Sequence, residues 1–257
     1  MPKVEQLELR MPTRGGKRAG AGRKRQTPRA RVPHVRRPVM RPEHPVQVTL
    51  RACAGVPDLR ARAPWVVIVR GLRALRERAD FRIVHYSVLS NHLHFVVEAD
   101  GGDALSSGMT ALATRLAIRL NQLFARKGPM FDHRFHARAL TTPRALRVSL
   151  QYVLSNLRKH AAQSGQHVEH GWIDDRSSGR VFDGWSTSAS ASQPRDYGTS
   201  PARTWLLRVG WRRHGLLAID DVPGRPRTPL RRGEPTGREA LAFDSAALDG
   251  ATTRSAA

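Results

Sequence analysis

Residues 81–90 read FRIVHYSVLS and residues 91–100 read NHLHFVVEAD, and these twenty residues decide the fold. Both halves are rich in β-branched and aromatic residues, so each reads as a strand. So little separates them that a hairpin around Ser90-Asn91 is expected. In a strand, residues i and i+2 point to the same face. His92 and His94 therefore project together, while Leu93 and Phe95 face the other way and can pack. Two adjacent imidazoles, neutral at cell pH, are half of a divalent-metal site. By themselves they read more readily as a pair of hydrogen-bonded strand histidines, because two ligands rarely hold a metal.

Working outward, HPVQVTLRA (44–52) alternates Val46, Val48 and Leu50 on one face and reads as a strand. From Trp65 to Asp80, Val66, Val69, Leu72 and Leu75 recur at helical spacing. Leu105, Met109, Leu112, Leu116, Leu120 and Leu123 mark a long helix, expected to stop at Gly128-Pro129. Asp100 and Asp103 can cap it. MFDHRFHARAL (130–140) reads as a fourth strand. The segment from Thr142 to Ala162 reads as a helix opened by the favoured Thr-Pro pair. The order β-α-β-β-α-β-α predicts an α+β chain, a ferredoxin-like split βαβ sandwich with an added C-terminal helix.

The flanks differ in composition. Residues 1–42 hold 13 Lys or Arg against 2 Glu, almost half of the whole chain's net charge of +23. Gly, Pro and Arg dominate them, so a flexible basic arm is expected. The compact part is expected over 43–163, a Ser-rich linker over 164–204, a short docking helix over 205–219 and a disordered tail over 220–257. No internal repeat is visible.

The charge narrows the function. With 44 Lys plus Arg against 21 Asp plus Glu in 257 residues, a polyanion is the expected partner, and phosphate backbone is the commonest. Cys53 is the only cysteine, which excludes an intramolecular disulfide and cysteine-based zinc sites. The first residues lack the apolar core of a signal peptide, and no run approaches a membrane span of about 18 residues. No membrane partner is expected.

In LQYVLSNLRKH (150–160), Tyr152 and Asn156 stand four apart, on one helical face. An Asn carbonyl is a hard ligand suited to Mg²⁺ or Mn²⁺. A phenol beside a metal-held phosphate can attack phosphorus, provided a cation or base removes its proton. On spacing alone Tyr152 is also an ordinary amphipathic packing residue.

SVLSNHLHFVVE (87–98), followed by LQYVLSNLRKH, resembles the HUH-type single-tyrosine transposases, and within them the REP-associated tyrosine transposase branch. The resemblance covers about residues 44–160. GGKRAGAGRKR (15–25) and TWLLRVGWRRHGLL (204–217) resemble extensions of longer members. The resemblance implies that His92, His94 and Asn156 bind Mg²⁺ or Mn²⁺. It implies that Tyr152 attacks a phosphodiester in single-stranded or hairpin DNA, leaving a 5′-phosphotyrosine and a free 3′-hydroxyl. It further implies palindromic-repeat hairpins as targets, a bacterial cytoplasmic, nucleoid-associated protein, and a possible homodimer, since some relatives exchange the tyrosine helix. Many members follow the Asn with Pro; here Leu157 follows, so the helix is expected to run straight past Asn156.

Arg18, Arg23, Lys24 and Arg25 in the arm, with Arg134 and Arg138 near the fourth strand, are the expected DNA contacts. Tyr86 is a rival nucleophile, although a strand tyrosine is ordinarily a packing residue; Tyr197 lies in the Ser-rich stretch. His133 and His136 are three apart and would face opposite ways. Arg115 and Arg119 read as a solvated helix face. Two other functions remain open at this point: a non-catalytic, domesticated protein that binds structured DNA, and a metal-dependent hydrolase using water as nucleophile.

Overall fold

The computed structural model describes residues 39–132, 134–187 and 196–224. The chain divides into two units, Met1–Val35 and Arg36–Ala257, and every described residue belongs to the second. The arm residues Arg18, Arg23, Lys24 and Arg25 lie outside the described residues, as do His133 and most of the C-terminal tail.

The elements follow as β1 (Val46–Arg51), α1 (Arg62–Arg73), β2 (Phe81–Val88), β3 (His92–Ala99), α2 (Gly102–Leu123), β4 (His136–Ala139), α3 (Pro143–Leu154) and α4 (Asn156–Gln163). A short helix α5 (Trp205–Arg208) and two 3₁₀ turns, Ser178–Val181 and Gly210–His214, complete the described residues. The four strands form one sheet in the order β2-β3-β1-β4 with every neighbouring pair antiparallel. The molecule is thus α+β, and β1 and β2 run parallel with β3 inserted between them. That arrangement is compatible with a split βαβ unit.

Alternation explains the two faces of the sheet. Val46, Val48 and Leu50 of β1 pair with Val97, Phe95 and Leu93 of β3, and Tyr86 and Val88 of β2 join the same face. All are buried, and they pack with Leu105, Met109, Leu112, Leu116 and Leu120 of α2 and Ile68, Val69 and Leu72 of α1. Gly108 lets α2 approach the sheet: a Cβ there would lie 2.3 Å from the Phe81 ring.

The opposite face carries Thr49, His94 and Ser87 in one cross-strand row, extended by His136 on β4. Here α3 packs, with Leu146, Leu150 and Val153 against Val84 and Val96. Thr142 caps α3 by accepting the Ala145 N–H at 3.1 Å, and Pro143 occupies the first turn. Such a cap contributes about 1 kcal/mol.

Some element limits differ from the periodic pattern. α1 begins three residues before Trp65 and ends at Arg73, with turns from Ala74 to Glu77 where i→i+3 bonds replace helical ones. Pro64 sits in its first turn, where a missing N–H costs nothing. α2 starts after Gly101 and stops at Leu123, short of Gly128; Asp103 lies in its first turn, and no side chain caps it.

Beyond Gln163 the Ser-rich and Gly-rich composition suggests a linker, yet residues 164–187 and 196–224 pack on the core. Ile173, Phe182, Trp185, Leu206, Leu207, Trp211, Leu217 and Ile219 cover the outer side of α3. Polar anchors hold this wrap. Arg60 and Asp174 form a two-pronged ion pair at 2.9 Å, and the Arg176 carbonyl accepts the Val88 N–H at 2.9 Å. Arg147 donates to the carbonyls of Gly215 and Leu216.

Candidate active site

β3 delivers the two histidines to the α3 face of the sheet. Cross-strand register places His92 opposite Arg51 and His94 opposite Thr49. Their rings lie 4.6 Å apart, edge to face. Each ring is held through the same nitrogen. His92 Nδ1 donates to Asn91 Oδ1 at 2.6 Å, and His94 Nδ1 lies 3.0 Å from the Thr49 hydroxyl. An imidazole that donates from Nδ1, as His92 does to Asn91, presents its Nε2 lone pair outward, the arrangement typical of metal-ligating histidines. His94 Nε2 is buried and has no hydrogen-bond partner.

Burial keeps both rings neutral. It lowers His94 from the ordinary 6.5 to about 3, helped by the charges His92, His160 and Lys159 would bring. His92 falls to about 4, first through burial and then through His160 and Arg51. A desolvated imidazole resists protonation and stays a free electron-pair donor.

Tyr152 comes from the opposite layer. It lies near the C-terminal end of α3, and its ring stands 5.1 Å from that of His94 at 79°. Lys159, two turns on, places its Nζ 4.6 Å from the Tyr152 ring centre. The exposed His160 ring lies 6.0 Å from His92. The structure therefore gathers His92, His94 and Tyr152 from two elements sixty residues apart, and adds Lys159 and His160. Neither of the two added residues has a signal in the sequence beyond its place in LQYVLSNLRKH.

Asn156 needs a correction in its setting. The helix does not run straight past it. Ser155 adopts φ −110° and ψ 23°, ending α3, and Asn156 begins α4. Gln151 Nε2 donates to Ser155 Oγ at 3.0 Å and also contacts the carbonyls of Ala218 and Asp221, so the wrap holds the bend in place. No proline is required. Asn156 is completely buried, and neither its Oδ1 nor its Nδ2 has a partner. It makes no hydrogen bond to either histidine. An unpaired buried amide costs about 1–3 kcal/mol.

The donor chemistry fits a hard divalent cation. Two neutral imidazoles and one amide oxygen are available, and His94 Nε2 and both Asn156 amide atoms are orphaned. Among the described residues no group of three or more His, Cys, Asp or Glu side chains is placed to hold a metal.

The remaining candidates separate cleanly. Tyr86 is fully buried on the α1/α2 face, and burial pushes its phenol up. Tyr197 is buried against Trp65. Neither meets the imidazole pair. Arg138 is exposed on β4 and lines a groove that ends at Tyr152. Arg134 is exposed just before β4. His136 shares the row of Thr49 and His94. Arg115 and Arg119 are exposed on α2 and line a cleft against α1. No helix among the described residues is long and apolar enough to cross a membrane.

Against known proteins, no family model matches the chain and no curated protein matches it. Among solved structures the chain is similar to a REP-associated tyrosine transposase bound to a REP hairpin, at 18% identity and a TM-score of 0.43. The likeness covers 57% of this chain and 82% of that one.

Proposed function

We propose that this chain cuts and rejoins single-stranded or hairpin DNA, with Tyr152 as the nucleophile. The observation that supports the reading is the 5.1 Å approach of the Tyr152 ring to His94, across two layers of the fold. Of the three tyrosines it alone is near the imidazoles, is partly exposed and faces an open groove.

The step balances. Tyr152 Oη attacks the phosphorus, the P–O3′ bond breaks, and the departing 3′-oxygen takes up a proton while the phenol loses one. A 5′-phosphotyrosine remains. A 3′-hydroxyl from another strand can reverse the step, because one phosphoester replaces another and no external energy is needed. Lys159, with its ammonium over the phenol ring, can offset charge on the phosphate that Tyr152 attacks. His92, His94 and Asn156 would hold Mg²⁺ or Mn²⁺, which supplies Lewis-acid polarisation of the scissile phosphate. Thr49 and Asn91 keep the two imidazoles oriented. Palindromic hairpins are the substrate class that the sequence resemblance implies, and the chain's +23 charge suits them.

The test is a denaturing gel of protein incubated with labelled hairpin DNA and Mn²⁺. Wild-type protein should yield a covalent protein–DNA band, and Tyr152→Phe should yield none while binding with unchanged affinity. Cleavage without a covalent band would indicate water as nucleophile and overturn the proposal.

A further inference from the structure

Hydrocarbon packing does little to hold α4 in place. Its buried residues are Asn156, Arg158 and Ala161, and Ala161 is the one apolar side chain of the three. A helix of eight residues is marginal in water, so its placement has to come from tertiary contacts. Asn156 supplies no hydrogen bond from its side chain, because neither amide atom has a partner. Arg158 supplies several. Its guanidinium donates to the carbonyls of Val168, Glu169 and Trp172 at 3.0–3.2 Å and pairs with Asp220 at 3.1 Å. Asp220 also accepts the Gly171 N–H at 2.9 Å, which ties its own segment to the loop that follows α4.

The same segment grips α3 on the other side of Ser155. Gln151 Nε2 donates to Ser155 Oγ at 3.0 Å and lies 3.3 Å from the carbonyls of both Ala218 and Asp221. Ile219, in the middle of that segment, is buried in one cluster with Leu150 and Leu154 of α3. Four residues, Ala218–Asp221, therefore hold α3 through Gln151 and α4 through Arg158. Each grip sits beside a residue of the site: Gln151 precedes Tyr152, and Arg158 precedes Lys159.

We infer that Ala218–Asp221 is a splint across the bend, and that Gln151 and Arg158 are positioning residues which set Asn156 and Lys159 against the imidazole pair. The inference rests on the DNA-transfer reading, in which Asn156 helps to hold the metal, and adds what fixes that ligand. Hydrogen bonds from a guanidinium to several acceptors fix direction as well as distance. The site then has two halves of different origin. β3 carries His92 and His94 on the sheet itself, independent of the splint. Asn156 and Lys159 ride on α4, whose angle is set by residues some sixty positions further along the chain.

The test is a Mn²⁺ titration of the full chain without DNA, followed by the electron paramagnetic resonance signal of free Mn²⁺. Melting temperatures are read on the metal-free proteins. Gln151→Met keeps the length of the side chain and removes its donor. Asp220→Ala removes the ion pair from a partly exposed position. Each should weaken Mn²⁺ binding by about 10–100-fold, the range for residues that orient a ligand from behind. The double variant should lose little more than the larger single loss, because both changes release the same segment. Leu72→Ala, which opens a cavity under α1 on the far side of the sheet, is the control for stability. It should lower the melting temperature at least as far as either variant and leave Mn²⁺ affinity within about twofold. The inference is overturned if neither Gln151→Met nor Asp220→Ala weakens Mn²⁺ binding, or if Leu72→Ala weakens it as much as they do. Wild-type protein with the expected pattern of Mn²⁺ affinities but no covalent DNA band would instead overturn the transfer reading and leave the splint standing.

Discussion

The two faces of the sheet are built on opposite rules. Toward α1 and α2, hydrocarbon meets hydrocarbon: Val48, Leu93, Phe95, Leu112 and Leu116 are all fully buried in one cluster. Toward α3, the same strands present His94, Ser87 and Thr49, and the helical layer holds Ser149 and Gln151 of α3 and Asn156 of α4. Ser87, His94, Ser149, Gln151 and Asn156 all bury at least one side-chain atom that lacks a partner. Proteins ordinarily pair such atoms, since each orphan costs free energy. Trp65 Nε1 and Tyr86 Oη are unpaired in the first cluster too, so the α3 side differs in how many such atoms it gathers, His94 Nε2 and both Asn156 amide atoms among them.

That contrast can be broken by mutation, and the largest effect should come at the nucleophile. Tyr152→Phe removes one oxygen and should lower covalent-adduct yield by at least about 10³-fold. Hairpin affinity should change less than about twofold; a denaturing gel and an anisotropy titration read the two quantities. On the dry face, Phe95→Ala should cost about 3–5 kcal/mol in urea unfolding, because it opens a cavity beneath the sheet. An equal loss from truncating one of the unpaired polar residues of the α3 face, Ser149→Ala for example, would dissolve the distinction.

Next comes the support of the histidines. Thr49→Val removes the hydroxyl beside His94 Nδ1 and keeps the shape of a β-branched strand residue. Adduct formation in limiting Mn²⁺ should fall about 10–100-fold, and excess Mn²⁺ should recover part of it. If the metal dependence does not move, Thr49 has no positioning role. The smallest expected effect on stability has the opposite sign. Asn156→Leu replaces an unpaired buried amide by hydrocarbon, so metal-free stability should hold or rise by about 1–2 kcal/mol while adducts disappear. A loss of stability would mean that Asn156 is a structural residue.

Acid should weaken the fold through the same face. His85, His92 and His94 are depressed from 6.5 to about 4, 4 and 3, with burial the first cause in each. The unfolded chain takes up protons near pH 6.5 that the folded chain refuses. Stability therefore falls as pH drops from about 6.5 toward 4, and the slope flattens once the folded histidines also charge. Urea midpoints measured across that window check the sign.

Much of this was legible in the sequence. Strand alternation in VQVTLR and HLHFVVEA assigned both faces of the sheet, because i, i+2 geometry leaves no other choice. The Thr142-Pro143 start of α3 was equally plain. The bend at Ser155 was not: it is held by Gln151 and by carbonyls some seventy residues away, and no local pattern encodes such a contact. The packing of residues 164–187 was also hidden. Ile173, Phe182 and Trp185 follow neither a helical nor a strand period, so a cluster that closes only in three dimensions looks like a linker. Lys159 and His160 were in view within LQYVLSNLRKH, but the turn of α4 that carries them past Tyr152 and His92 follows from the bend.

The most direct measurement is peptide mass spectrometry of the covalent species after trypsin and nuclease digestion. The account predicts a nucleotide phosphate on the peptide spanning residues 148–158, attached at Tyr152. Attachment at Tyr86 or Tyr197, or DNA cleavage with no modified peptide, would contradict it.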